Sequence, residues 1–499
     1  MAKEIQLDQN GKRKFGMLDK LAYAAGDLGC NMSFGLKSTV QTFWLAYMML
    51  ETGLLSILLL AVQIWDAVND PIIGSLIDAD RRQYKMGKFK TYIFIGACGL
   101  IVGGAAVFLP FPGAPVVVKA ILFIIGYIIW DAAYTTANVP YGSMLSLVTE
   151  DAGERAQLSS WRSIGGGVGN ILPGIILPML IWHKVEDEFG NPVFNPETDV
   201  QEQVLLGDRV FWAALLMGVI GFACFFFMIK KITIRVDENS VKTSEGGAKF
   251  NIIRAFGNFV KNRPAVGATV AAMGMFMGMQ SATTASTIMF ATYFGMAELS
   301  GLIQMVGFLP AFAFIPFIKK IVDKYGKKEA SVAGSFVSLV GSVIMLAFPL
   351  FTNKTVSLVI FMLGLVVFGL GMGVYTCVSW ALMADAIDYN DWKTGKREEG
   401  TVYSLHSFFR KLAQGIGPSV VLAVMGVLGY ISDLGTGGQS AETAFNMCWL
   451  VAGLYLFSAV MMFVGLTFIY NLDKKTLAKM QSDLDARHGA EAVSAEIEA

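Results

Sequence analysis

Asp66 and Asp70 stand four residues apart in QIWDAVNDPIIG (63–74), with Asn69 three residues after Asp66. On a helix this spacing puts both carboxylates on one face, about one turn apart. In a low-dielectric setting two like charges this close do not both stay ionised without a cation or a proton. Carboxylate and amide oxygens are hard ligands, suited to Na⁺ or H⁺ rather than to a soft metal. The competing reading is a pair of salt bridges tying this segment to Lys411 or Arg410. The two readings combine if the site trades partners during its working cycle.

Two further groups have chemical potential. Asp131, Tyr134, Thr135, Asn138, Tyr141 and Gly142 fall on one helical stripe. A polar, aromatic stripe suits a hydroxyl-rich ligand, although a plain polar seam between helices has the same pattern. In SLHSFFRKLAQGIG (404–417), His406, Arg410 and Gln414 recur every fourth residue, with Ser407 and Lys411 beside them. His183 and His488 lie outside the apolar runs, so His406 is the imidazole to consider as a proton relay. The plainer reading is a histidine that hydrogen-bonds substrate or a neighbouring helix.

These residues sit in apolar surroundings. The 499-residue chain is 54% hydrophobic and 16% charged, well short of the roughly 25% charge of soluble domains. Disordered chains, nucleic-acid binders with a basic face and ordinary soluble enzymes are excluded on that balance. Apolar runs long enough for a hydrocarbon core of ~30 Å occur near 21–50, 54–78, 91–111, 115–147, 163–183, 209–229, 264–294, 299–320, 330–351, 355–385, 401–430 and 444–470. Twelve spans are expected. Asp27, Lys37, Asp66, Asp70, Asp131, Arg410 and Lys411 fall inside them and Arg162 at an edge; charges there are expensive and normally face a cavity or a partner.

The loops orient the chain. Of the 39 Lys and Arg, Lys119, Lys184, Arg209 and Lys354 lie in one set of connections and Lys37, Arg410 and Lys411 within spans; the other 32 lie in the alternate set and the termini. Positive charge stays on the cytoplasmic side, so both termini are expected there, in a multi-pass protein of the cell membrane. The polar opening MAKEIQLDQNGKRKFG is not expected to be a cleaved leader. The expected organisation is a cytoplasmic N-terminus (1–20), a six-helix bundle (21–229), a cytoplasmic linker (230–263), a second six-helix bundle (264–470) and a cytoplasmic tail (471–499), read as a surface helix that frays. The halves echo each other: Asp78 precedes Arg81, Arg82, Lys85, Gly87 and Lys88, and Asp323 precedes Lys324, Gly326, Lys327 and Lys328. That is the signature of a parallel repeat: an all-α membrane protein of twelve helices in two bundles around a central cavity.

Other chemistry is not indicated. The five cysteines (30, 98, 224, 377, 448) lie in apolar stretches without CxxC or His/Cys spacing. No nucleotide-binding or hydrolytic motif is present, so no enzyme activity and no cofactor are expected. Gly165–Gly167, Gly369, Gly371 and Gly373 read as sites of close helix packing.

Four blocks, YAAGDLGCN (23–31), IWDAVNDPIIG (64–74) with KMGKFK (85–90), YTTANVPYGSML (134–145) and MADAIDYNDWKTGKREEGTVYSLHSFFRKLAQGIG (383–417), resemble the glycoside–pentoside–hexuronide:cation symporters of the major facilitator superfamily. The resemblance covers almost the whole chain and implies the major facilitator fold. In the melibiose permeases two aspartates, an intervening Asn and a Thr form the cation site; the matching residues are Asp66, Asn69, Asp70 and Thr135. The same resemblance assigns Lys411 a place between cation and sugar, and matches Arg162 and Tyr134 to substrate-facing positions. Asn31 and Asn138 replace two sugar-binding carboxylates, Gly142 and Thr376 replace two cavity tryptophans, and Gln63 replaces an Arg. Trp380 lies one turn from Thr376. Glucuronide permeases resemble the chain more closely in the Asn pair and in the Arg–Lys of span eleven. The substrate-binding set expected is Asn31, Asp131, Tyr134, Asn138, Arg162, His406, Arg410 and Lys411.

The expected function is import of a glycoside, including a hexuronide or an oligosaccharide, by symport with Na⁺ or H⁺ and alternating access. The four-ligand set favours Na⁺, since a pure proton carrier has no need of the Asn and Thr. The expected partners are the glycoside, the cation and the bilayer, with no nucleic acid, and a monomer as the working unit. A lysolipid transporter on the same fold would need an apolar portal, which the polar stripe argues against. A non-transporting sensor would predict lost cation ligands.

Overall fold

The computed structural model describes residues 12–80, 82–149, 151–236, 252–312, 317–395 and 399–498. These residues are overwhelmingly helical. In chain order the helices are α1 (Met17–Phe34), α2 (Lys37–Thr42), α3 (Thr52–Ala79), α4 (Lys88–Val107), α5 (Val116–Val148), α6 (Ala152–Ile181), α7 (Gly207–Lys231), α8 (Ile252–Lys261), α9 (Arg263–Met289), α10 (Ser300–Phe312), α11 (Ile318–Tyr325), α12 (Lys327–Ala347), α13 (Lys354–Thr394), α14 (Glu399–Val427), α15 (Ala441–Val464) and α16 (Lys474–Glu498). Helices dominate because only they satisfy every backbone group within a lipid-facing segment.

Among the described residues nine helical segments are long and apolar enough to cross a membrane. The three remaining expected spans depart for visible reasons. The first is broken between α1 and α2, then tightens into a π-helical turn, Phe43–Tyr47. The eighth comprises α10 and α11, and residues 313–316 between them lie outside the described set. The eleventh, α14, carries His406, Arg410 and Lys411. Part of the expected linker (237–251) and Arg81 of the repeat signature also lie outside the described residues, as does the side chain of Asp78.

The chain divides into two compact units. Among the described residues the first holds 12–236, 290–302 and 422–443. In it α4 and α5 pack through small residues: a side chain at Gly96 would collide with Ala133 and Ala137, one at Gly103 with Trp130, and one at Gly126 with Val107. Such contact between backbones is the main route to helix association in lipid. Gly165 of α6 lies likewise against Ala24 of α1, whereas Gly167 meets nothing within 4 Å and is not a packing glycine. The connection from α6 to α7 forms two small antiparallel ribbons, β1 (Trp182–Lys184) with β4 (Gln203–Leu205) and β2 (Phe194–Asn195) with β3 (Val200–Gln201). Gln203, 1% exposed, ties them down: its amide donates to the Gly295 carbonyl (2.9 Å) and its oxygen accepts from the Ala297 N–H (2.6 Å).

The second unit holds 252–289, 303–421 and 444–498 of the described residues. Its counterpart of the α4–α5 pair is α12–α13, where Gly334 abuts Gly371 and Gly341 abuts Phe368. Gly369 and Gly373 of α13 meet Gly307 and Ala311 of α10. The turn before α4 and the turn before α12 are matched as well. Each ends in a glycine at positive φ, Gly87 (+86°) and Gly326 (+106°), which caps the following helix; a residue with a Cβ is strained there. The tail forms a regular helix, α16, held at its start by Lys474 Nζ donating to the Asp323 carbonyl at 2.7 Å.

Candidate functional site

In the first unit a chain of hydrogen bonds crosses from α3 to α5. Asn69 Nδ2 donates to Asp131 Oδ2 (3.2 Å) and to Thr135 Oγ1 (3.3 Å), and Thr135 Oγ1 donates to Asp70 Oδ1 (2.8 Å). Asn69, Asp131 and Thr135 are 2%, 3% and 1% exposed, so these bonds are screened little by solvent. The fourth residue of the cation set, Asp66, is one turn back on α3. Its ion pair is with Lys37 at the start of α2, Nζ to Oδ2 3.6 Å. Asp66 of span two thus has a basic partner from the first span, Lys37, which the sequence alone did not pair with it.

Local structure explains the placement. Asn69 and Asp70 point toward α5 because Thr135 and Asp131, four residues apart, share a face of that helix. Pro140 lies within α5 without ending it. Lys37 follows a lapse in the helix ladder: Gly35 N–H bonds Asn31 O in the α pattern, whereas Leu36 N–H bonds Ser33 O in a tighter turn. The arrangement offers three carboxylates, a hydroxyl and an amide. All are hard donors and fit a small monovalent cation or a proton. Among the described residues no group of three or more His, Cys, Asp or Glu side chains is arranged to hold a metal ion.

The rest of the α5 stripe faces α1. Tyr134 lies 6.2 Å from Phe34, ring to ring, and the Asn138 amide oxygen meets Cys30 Sγ at 3.7 Å. Tyr141 stacks on Tyr23 (4.8 Å) and donates its hydroxyl to the Tyr23 carbonyl (2.7 Å). Beside them Arg162 of α6 pairs with Asp27, Nε to Oδ1 3.0 Å, with its guanidinium 5.0 Å over the Tyr141 ring. Asn31 bridges this pair to α6: it donates to the Asp27 carbonyl (2.8 Å) and carboxylate (3.2 Å) and accepts from Asn170 Nδ2 (2.7 Å). A Cβ at Gly142 would come no nearer than 4.0 Å to Arg162, so space remains beside the guanidinium.

The second unit carries the residues of α14. His406 Nδ1 shares a hydrogen bond with Thr269 Oγ1 of α9 (2.9 Å), and its ring meets Trp380 edge-on at 6.1 Å. Arg410 is clasped between two aromatic faces, 5.2 Å from Phe276 and 5.2 Å from Trp380, a geometry that holds a cation without a counter-charge. Lys411 is the next residue and lies exposed.

The structure thus groups Asp66, Asn69, Asp70, Thr135 and Asp131 in one cluster and Asn31, Tyr134, Asn138 and Arg162 in a neighbouring one, while His406 and Arg410 share the Trp380 surface. Asp131, expected with the substrate, stands at the end of the α3–α5 chain. Sequence reasoning did not assign Lys37, Asp27, Asn170 or Phe276 to a site. The first two were visible as charges within spans, and Asn170 lies two turns beyond Arg162. Phe276 gave no signal.

Long apolar helices, small-residue packing and charged clusters buried at membrane depth define a polytopic membrane transporter rather than an enzyme. The description MFS/sugar transport protein matches residues 22–474, and the chain belongs to that family. It is similar to the isoprimeverose transporter of Lactiplantibacillus pentosus, 26% identical over 489 residues that cover 95% of this chain and 92% of the relative. It is equally similar to the glucuronide carrier protein homolog of Escherichia coli (strain K12), 26% identical with 83% and 84% covered. The crystal structure of the nucleoside transporter NupG superposes with a TM-score of 0.54 at 15% identity, covering 91% of this chain and all of that one, which supports the major facilitator fold.

Proposed function

We propose that the protein is a cation-coupled symporter that imports a glycoside by alternating access, with both termini cytoplasmic and a single chain as the working unit. The observation that carries this reading is the buried Asp131–Asn69–Thr135–Asp70 chain with Asp66 one turn away. Buried carboxylates linked through neutral oxygen and amide groups have a clear use as an exchangeable cation site. Na⁺ is favoured over H⁺, because a proton needs one carboxylate and leaves the threonine and asparagine without a role. The substrate-binding candidates of the first unit are Asn31, Tyr134, Asn138 and Arg162, and those of the second unit are His406, Arg410 and Lys411. Amides that donate and accept together match sugar hydroxyls, and the tyrosine rings and Trp380 supply apolar faces. The names of the relatives, an isoprimeverose transporter and a glucuronide carrier homolog, support a sugar as the cargo.

The test is uptake of labelled glycosides, neutral and anionic, into vesicles with an imposed Na⁺ or H⁺ gradient. Accumulation above equilibrium that collapses with the gradient is the expected result. Uptake that never exceeds equilibrium under either gradient overturns symport.

A further inference from the structure

We infer that Lys37 is a built-in counter-ion of the cation site, one that holds Asp66 and weakens the field offered to a free cation at the Asp70 end. The inference rests on the proposed cation site and deepens it. Lys37 is the first residue of α2, immediately after the tightened turn at Gly35–Leu36. Its ammonium lies 3.6 Å from Asp66 and 5.0 Å over the Phe34 ring, so the head is held between a carboxylate and an aromatic face. Asp66 and Asp70 project from one face of α3, so a charge held on the first acts electrostatically at the second.

The charge count gives the consequence. With all three carboxylates ionised the cluster carries three negative charges and Lys37 removes one. A mobile cation entering at Asp70, Thr135 and Asn69 therefore meets a fixed like charge one helical turn away. Coulomb interactions at this range in a partly buried site change affinity by about tenfold or more. Lys37 thus tunes the site to bind its ion loosely enough to release it, and it supplies Asp66 with a partner when no ion is bound. A half-buried carboxylate is better accommodated with this partner than without it.

The experiment is a Na⁺ titration of the purified full-length protein in detergent, read by intrinsic tryptophan fluorescence. Trp65 and Trp130 adjoin Asp66 and Asp131 in sequence and serve as reporters. Lys37→Met is expected to bind Na⁺ roughly tenfold tighter than the wild type, and Lys37→Arg to bind as the wild type does. Asp66→Asn, which strips Lys37 of its partner, is expected to weaken Na⁺ binding by a similar factor, and the double variant Lys37→Met/Asp66→Asn to restore it. The double variant also covers the case in which Lys37→Met alone leaves Asp66 uncompensated and does not fold. Equal Na⁺ affinity in the wild type and in a folded Lys37→Met variant overturns the inference, as does a double variant no tighter than Asp66→Asn, or no Na⁺ response in any form. Those results leave glycoside uptake intact, whereas failure of the symport reading abolishes gradient-driven uptake by the wild type itself.

Discussion

Arg162 Nε donates to Asp27 Oδ1 at 3.0 Å, so the arginine proposed to face the substrate is already paired with a carboxylate of α1. This arrangement favours an uncharged glycoside, because an anionic sugar must displace Asp27 or share the guanidinium with it. Replacing Asp27 by Asn removes that competitor. Asp27→Asn is expected to raise the affinity for a uronide relative to its neutral counterpart by about tenfold, the scale of one charged hydrogen bond. Competition of labelled neutral glycoside uptake by the uronide reads this directly; an unchanged ratio of inhibition constants removes Asp27 from the specificity argument.

Asp70 receives the Thr135 hydroxyl at 2.8 Å. Asp70→Asn removes the charge proposed to balance a bound cation while keeping the shape. Accumulation in vesicles is expected to fall to the equilibrium level, with protein still present in the membrane. Accumulation at the wild-type level by this variant sinks the assignment of the cation site.

Asn138 accepts a long contact from Cys30 Sγ, 3.7 Å, and its amide is suited to take up sugar hydroxyls. Asn138→Ala is expected to weaken substrate binding five- to tenfold, the effect of about one hydrogen bond, and to leave Na⁺ affinity unchanged in the absence of sugar. Asn31→Ala is expected to do more, since Asn31 also ties Asp27 to Asn170. Calorimetric titrations with sugar and with Na⁺ separate the two effects. Normal sugar binding by both variants reduces the α5 stripe to helix packing.

Asp80 closes the turn after α3. Its Oδ2 accepts from Tyr84 (2.6 Å) and Tyr92 (2.7 Å), and its Oδ1 from the Arg82 N–H (3.0 Å). These three donors, the tyrosine hydroxyls foremost, hold the carboxyl at about 2, below its ordinary value. A lowered folded-state value stabilises the turn above the unfolded carboxylate range near 4, and this stabilisation is lost as pH falls toward 2. Hydrogen-exchange protection over residues 82–92, corrected for the intrinsic pH dependence of exchange, is expected to stay flat down to about pH 4 and to fall below it. In Tyr92→Phe the fall is expected to be smaller and complete at a higher pH, because the folded-state value lies nearer the unfolded one. Identical profiles for the two proteins remove the tyrosine hydroxyl as the cause.

Gln203 is buried with both ends of its amide engaged, at Gly295 and at Ala297. Gln203→Ala leaves those backbone groups without their partner, at a cost of about 1–3 kcal/mol. A lower unfolding midpoint for the purified protein checks this. An unshifted midpoint shows that the ribbon connecting α6 and α7 contributes nothing to stability.

The helical class of the protein, its long membrane segments and the residue types of its charged clusters are legible in the sequence, because each depends on neighbours along the chain. The length of an apolar run decides whether a helix reaches across a bilayer, and four-residue spacing decides that Asp66 and Asp70 share a face. Gly369 and Gly373 were readable as packing sites for the same local reason. What the sequence left open is which face meets which helix. Asp131 belongs to the same stripe as Tyr134 and Asn138, yet it bonds Asn69 on α3 while Asn138 turns toward Cys30 on α1. A stripe more than about 100° wide reaches two neighbours at once, and only the rotation and approach of the packed helices divide it. Lys37 and Asp27 were visible as costly charges, but their partners Asp66 and Arg162 lie 29 and 135 residues away. Ion pairs between helices follow distance in space, set by which glycines let the backbones approach, and no periodicity along the chain encodes that distance.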